Sequence, residues 1–359
     1  MIALCYGTRP QIIKASILRR ALEKVGPLFT VDTGQHYDFV MNGLLYQQLG
    51  VSPPDHFLEV GSGTHARQTG AILTGIETLL VERRPDALVV IGDTNSTLGS
   101  GLAAAKAGVP VVHVEAGLRA QDAGMAEEIN RRLVDMIAGL LCTPSYAVTA
   151  RLRAARPDAT VVDTGDVALD VLQSCRDRLP DVASLIPEHG GKGYVFATLH
   201  RAELTADPAI LKNVVAALGS LEYRVLLALH PRTRAVLNEM GETRTRIGRL
   251  SIREPVGYLE SLALIGRAAA VVTDSGGVQR EAYWLGVPCV TIRVETEWLE
   301  TVETGANVLV APRHVAAELA PALDGQLKRW ARASWDRGVY GQGDAGGKVA
   351  TAITSWLVG

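Results

Sequence analysis

Cysteine is scarce in this chain, aromatic residues are few, and neither a long apolar run nor a surplus of one charge is present. Each shortage removes a class of protein. The four cysteines, Cys5, Cys142, Cys175 and Cys289, lie far apart, and three sit in apolar stretches where a small buried thiol packs well. They read as structural thiols of a reducing, cytoplasmic compartment, not as a disulfide framework. No apolar run reaches the ~18 residues that a membrane span needs. Met1 to Tyr6 meets Gly7-Thr8-Arg9-Pro10 without a basic leader or a small-residue cleavage site, which predicts a first strand and not a signal peptide. Lys and Arg number 36 against 38 for Asp and Glu, so there is no basic excess to hold nucleic acid or an acidic membrane. The HExxH and CxxC spacings of metal sites and the GxSxG elbow are also missing, so no catalytic metal is expected. No GxGxxG or P-loop lysine pattern occurs in a strand-to-helix context, which argues against a dinucleotide dehydrogenase or an NTPase.

What remains is a well-apolar chain, 47% hydrophobic over 359 residues, long enough to favour two domains. Short β-branched runs alternate with longer helical patterns: Ile2 to Tyr6, Phe29 to Thr33, Ala87 to Ile91, Val109 to Val114, Leu140 to Thr143 and Val161 to Thr164. The pattern predicts an α/β fold with a parallel sheet and crossover helices. Ala87 to Ile91 and Val109 to Val114 are apolar on both parities, as strands covered on both faces must be, and Ser96 to Ala107 supplies an Ala-rich crossover helix. Pro, Gly and charge loosen the sequence around residues 177–192, after which a second series opens with Tyr194 to Thr198, Val225 to Leu229, Ala270 to Thr273 and Cys289 to Ile292. The expected domains are 1–170 and 171–343, with a last helix, 344–359, joined to the first.

Ligands of open parallel sheets bind at the carboxyl edge, and several polar segments fall at such ends. Arg9 and Lys14 follow the first strand, where a guanidinium can grip a phosphate in bidentate fashion. Asp93 and Glu115 end two further strands, and Glu127 with Glu128 opens the helical stretch beyond; paired carboxylates whose pKa values are pushed apart can divide acid and base work, although each is equally a candidate cap or ion-pair residue. Asp274-Ser275-Gly276-Gly277 lies between a strand and a helix, so successive N–H groups there should point at an anion such as a diphosphate. Glu281, one and a half turns later, could accept from ribose hydroxyls. His200 can donate to a phosphate or to a leaving oxygen. His36 and His230 also sit at strand ends. Five polar loops in two lobes suggest a single cleft.

Taken together, GTRPQIIK (7–14), TGQHYD (33–38), GSGTHARQTG (61–70), GDTNST (92–97), HVEAGLR (113–119), EEINRR (127–132), TLHRAE (198–203), EPVGYLE (254–260) and DSGGVQREA (274–282) resemble the non-hydrolysing UDP-N-acetylglucosamine 2-epimerase family over nearly the whole chain. The resemblance implies two Rossmann-like doubly wound domains of the glycosyltransferase-B type, a homodimer, a UDP-sugar substrate and no nicotinamide cofactor. It further implies that a base removes the C2 proton while UDP leaves C1, that UDP re-adds after a proton returns to the opposite face, and that Asp93, Glu115 and Glu127 carry those protons. Arg9, Lys14, His200, Ser275, Gly276, Gly277 and Glu281 would hold UDP. Gln35, Arg67, Glu128 and His230 match an activator site for a second UDP-sugar, with Asp38 standing where some relatives carry glutamine. Where many relatives read Thr-Glu-Arg-Pro-Glu, this chain has Thr296-Glu297-Trp298-Leu299-Glu300. It also lacks the proline that usually precedes the glutamate pair. Both departures bear on the sugar's substituents. Three alternatives stay open at this point: a UDP-diacetamido-uronic acid as substrate, hydrolysis releasing N-acetylmannosamine and UDP, and a glycosyltransferase on the same fold.

Overall fold

The computed structural model describes residues 1–35, 43, 45–47, 49–187, 193–331 and 334–358; His36 and Asp38 lie outside them. The chain divides into two compact units, Met1–Ser174 with Gly338–Gly359 and Cys175–Arg337. In the first unit, β1 (Ile2–Tyr6), β2 (Leu28–Asp32), β3 (His56–Phe57), β4 (Ala87–Ile91), β5 (Val111–Val114), β6 (Leu140–Thr143) and β7 (Thr160–Asp163) form one sheet in the order β3-β2-β1-β4-β5-β6-β7. Every pairing in it is parallel. All five residues of β4 are fully buried, as its unbroken apolar sequence predicts for a strand with helices on both faces.

The second unit repeats the plan. Its strands are β8 (Tyr194–Leu199), β9 (Arg224–Leu229), β10 (Arg246–Ile247), β11 (Leu250–Arg253), β12 (Ala270–Thr273), β13 (Cys289–Thr291) and β14 (Asn307–Leu309), ordered β10-β11-β9-β8-β12-β13-β14. Among the described residues only the β10–β11 pair is antiparallel. The two-domain, parallel-sheet α/β architecture read from the sequence is thus present. The runs at Ile2, Ala87, Leu140 and Ala270 begin and end where the sequence pattern put them. β3, β10, β11 and β14, two to four residues each, carried no such signal.

Each sheet reverses its strand order once, between β1 and β4 in the first unit and between β8 and β12 in the second. Neighbouring crossovers leave in opposite directions at such a point, so the loops beyond the strand ends part and open a crevice. The loops that diverge there carry Arg9 and Asp93 in one unit, His200 and Asp274 in the other.

The final helix, Ala345–Val358, belongs to the first unit. Its first turn presents the Ala345 and Gly346 N–H groups to the Asp170 carboxylate at 3.1 and 2.8 Å, which satisfies donors that a helix start leaves unpaired. Gly346 packs against the Arg9–Leu22 helix so closely that an added Cβ would lie 2.6 Å from Ile17 Cγ2. No helix among the described residues is long and apolar enough to cross a membrane. Replacing Gly346 with valine should force the two helices apart and lower the stability of the unit by about 1–3 kcal/mol. Urea unfolding of the variant measures this, and an unchanged midpoint would show that the two helices have room to adjust.

Candidate active site

In the first unit, the turn after β1 is closed by Gln11, whose Oε1 accepts from Gly7 N at 2.9 Å and Thr8 N at 3.2 Å. Its Nε2 donates to the Ile91 carbonyl at 2.6 Å and to Thr94 Oγ1 at 2.9 Å. One side chain thereby fixes the loop that bears Arg9 to the loop that bears Asp93. Arg9 itself is half-buried at the start of its helix. Lys14, one turn further, is buried and paired with Glu115 Oε2. The sequence suggested that Lys14 would serve a phosphate; the structure gives its ammonium a carboxylate partner.

Glu115 adopts φ 68°, between Gly92 at 66° and Gly117 at 82° in the same cluster of loops. A left-handed backbone is uncommon for a residue with a Cβ, and such strain collects at functional sites. The carboxylate reaches a narrow crevice lined by Lys14, Val114, Pro144, Gly165 and Asp166. Asp93 is about one-third exposed and its Oδ2 accepts from Arg131 Nη2. Arg131 in turn donates to Glu128 Oε2 at 2.6 Å, and Glu128 also takes Arg132 Nε at 2.7 Å and Ala120 N at 2.8 Å. Glu127, the other half of the pair, is exposed in the first turn of the Ala126–Ile137 helix, where the helix dipole favours a carboxylate. Two neighbours in sequence therefore have opposite fates: Glu128 is fully buried and satisfied, Glu127 faces solvent.

Under these loops lies a second charged cluster. Asp135 is buried with His113 Nδ1 at 2.7 Å, Arg119 Nη1 at 2.6 Å and Gly117 N at 3.2 Å. Burial pushes its carboxyl up, but the bonds and charge of His113 and Arg119 outweigh that and hold it below the usual carboxylate range.

The second unit has its own polar edge. Asp274, fully buried, accepts from His200 N at 2.8 Å, Arg201 N at 2.8 Å and His200 Nδ1 at 3.0 Å. Burial raises its carboxyl and these contacts more than reverse the effect. With Nδ1 engaged, the imidazole can present only Nε2 to a ligand, and the ring is 39% exposed. The His230 ring lies 5.9 Å from it between centroids. Ser275 caps the Gly276–Leu285 helix, its Oγ accepting from Val278 N at 3.3 Å, and Gly276, Gly277 and Glu281 follow with partial exposure.

A family profile described as UDP-N-acetylglucosamine 2-epimerase matches residues 21–354. The chain belongs to this family. It is 40% identical over 358 residues to the UDP-2,3-diacetamido-2,3-dideoxy-D-glucuronate 2-epimerase of Pseudomonas aeruginosa, covering 97% of this chain and 98% of that one. Identity to the UDP-N-acetylglucosamine 2-epimerase of Methanocaldococcus jannaschii is 37% over 365 residues, 98% of both chains. The crystal structure of the M. jannaschii enzyme in complex with UDP-GlcNAc and UDP superposes with a TM-score of 0.89 over 99% of both chains.

Trp298 stands where the resemblance leads one to expect an arginine. The ring is buried, and the Arg280 guanidinium stacks over it at 3.6 Å from its centroid, a cation–π contact. Glu297 beside it takes a bidentate bond from Arg293 at 2.9 and 3.2 Å. Gln11, Arg131, His113, Asp135, Asp274 and Arg280 were all missed as site residues by sequence reasoning. Each stood inside or near a recognised motif, but its role lies in a partner many residues away. Of the four positions matched to an activator site, Gln35 is tied to Ser96 N at 2.9 Å and Glu128 to its two arginines; Arg67 is exposed on the His65–Arg83 helix, and His230 belongs to the other unit.

Burial raises the Glu297 carboxyl, yet Arg293 brings it down to about 2 from an ordinary value of 4.5. A lowered folded pKa stabilises above the unfolded value and ceases to do so as pH falls through the folded one. Glu297→Gln should therefore cost about 3–5 kcal/mol at neutral pH, by leaving a buried guanidinium without its counter-charge. It should also flatten the loss of stability that the unaltered chain shows between 4.5 and about 2. Urea unfolding across that window measures both effects; an unaltered acid slope would show that the pair adds nothing.

Proposed function

We propose that this chain inverts C2 of a UDP-N-acetylhexosamine, interconverting UDP-N-acetylglucosamine and UDP-N-acetylmannosamine without metal or nicotinamide. The observation that carries the reading is the pair of carboxylates at the ends of two neighbouring strands, Asp93 after β4 and Glu115 after β5, each held against a buried cation, with β4 lying at the point where the sheet reverses its order. In the reaction, a base takes the C2 proton, the C2–H electron pair forms the C1–C2 double bond, and the C1–O bond breaks with its electrons leaving on UDP. Proton return to the opposite face of C2 and re-addition of UDP at C1 complete the inversion. Two faces need two proton-transfer groups, and these are drawn from Asp93, Glu115 and Glu127. Lys14 and Arg131 hold two of these carboxylates in place. Arg9, His200 Nε2, the N–H groups at Ser275 to Gly277 and Glu281 handle UDP, with the start of the Gly276–Leu285 helix favouring the diphosphate.

A second reading, a UDP-2,3-diacetamido-uronic acid as substrate, is favoured by the P. aeruginosa relative and by the Trp298 departure. The four cysteines are buried, which supports a cytoplasmic setting. The homodimer is supported by Ile129, Leu133 and Met136, which are 44%, 48% and 65% exposed. They form an apolar stripe along the outer face of one helix, at the spacing that meets a partner helix.

Two outcomes follow. In heavy water, both UDP-sugars offered in parallel, the epimerised product should carry deuterium at C2 by proton NMR, and Asp93→Asn, Glu115→Gln and Glu127→Gln should each slow turnover ~10²-fold or more. Full retention of protium at C2 would overturn the elimination and re-addition mechanism, and the sugar that becomes labelled decides between the two substrates. Light scattering should give twice the subunit mass for the unaltered chain and a single subunit for Leu133→Asp; a monomer in both cases would remove the dimer.

A further inference from the structure

His113 is fully buried within β5, and both of its ring nitrogens face acceptors. Nδ1 lies 2.7 Å from Asp135 Oδ1, and Nε2 lies 2.7 Å from the Gly92 carbonyl oxygen. A carbonyl oxygen has no proton to give, so the contact at Nε2 is a bond only if Nε2 carries hydrogen. Asp135 accepts on its other oxygen from Arg119 and Gly117 N, contacts that hold a carboxylate ionised, so its oxygen at Nδ1 also has no proton to give. The contact at Nδ1 is then a bond from Nδ1–H to a carboxylate. A neutral ring would aim a lone pair at one of two buried oxygens at hydrogen-bond distance, leaving it unsatisfied where water cannot repair the loss.

We infer that His113 is a resident imidazolium that positions Asp93 and Glu115 by clamping the end of β4 to the Ala126–Ile137 helix. The Gly92 carbonyl that it holds immediately precedes Asp93. Gly92 adjoins the Glu115 carboxylate: a Cβ built there would lie in ordinary contact with Glu115 Oε2, at 3.5 Å. The helix that bears Asp135 also sends Asn130 Nδ2 to the Asp93 carbonyl at 3.0 Å and Arg131 to the Asp93 carboxylate. Three elements that carry Asp93, Glu115 and Glu127 thus meet at one buried ion pair. The charges around it are Asp135, Arg119 on its second oxygen, and Arg156, which donates to the Asp135 carbonyl. His113 touches no substrate in this scheme; it is a positioning residue. Its positioning role rests on the carboxylate roles proposed above, whereas the charge of the ring does not.

The full chain labelled with nitrogen-15 in its eight histidines tests the charge, with His113→Gln assigning the signals. Both His113 nitrogens should appear protonated at neutral pH, and an unprotonated nitrogen there would overturn the imidazolium whatever the activity. A glutamine can donate from one end only, so His113→Gln should keep its circular dichroism and its calorimetric affinity for UDP while kcat falls ~10²-fold, the scale of a misplacement near 1 Å. Should that variant fail to fold, Asp135→Asn takes its place: one His113 nitrogen should lose its proton at neutral pH and kcat should fall in parallel. Unaltered kcat in a folded variant would overturn the positioning role.

Discussion

A parallel strand covered by helices on both faces takes charge most readily at its ends, and the polar groups of the candidate site are arranged around that constraint. β4 and β5 offer apolar side chains to both layers, apart from His113, so the first positions able to carry a carboxylate are Asp93 and Glu115, just beyond their last residues. The same holds for β8 and β12 with His200 and Asp274. Because the first sheet reverses its order between β1 and β4 and the second between β8 and β12, the loops that follow those strands diverge and leave the carboxyl edge open.

Putting charges at a half-buried edge costs solvation, and the chain meets that cost by pairing. Lys14 faces Glu115, Arg131 faces both Asp93 and Glu128, Arg119 and His113 face Asp135, and Arg293 faces Glu297. A buried ion pair gives little net stability against an apolar alternative, but losing one partner is expensive. The pairs are therefore better understood as a means of holding carboxylates in place than as a source of folding energy. Backbone strain points the same way. Glu115 holds a left-handed conformation that a glycine would take at lower cost, and a carboxylate at that position is what the strain secures.

Much of this was legible in the residues. The doubly apolar runs at Ala87 and Val109 implied covered parallel strands, and the polar loops after them implied a carboxyl-edge site. Asp93, Glu115, His200 and Ser275 to Gly277 stand where those loops do. The short edge strands β3 and β14 were not legible, since their pairing is dictated by neighbours already in place. Lys14 shows the limit for side chains. A lysine one turn into a helix reads as a phosphate ligand or a surface charge, and its partner Glu115 lies 101 residues further on.

Local chemistry decided, from sequence alone, the α/β class, the strand ends that bear charge and the family to which the chain belongs, because period, turn residues and ordered motifs are written along the backbone. Tertiary structure alone decided that Glu128 is walled in while Glu127 is exposed, that Trp298 lies under Arg280, and that both nitrogens of His113 face acceptors. Those facts depend on which distant groups the folded sheet brings within hydrogen-bond reach, and no spacing along the chain encodes a contact made through space.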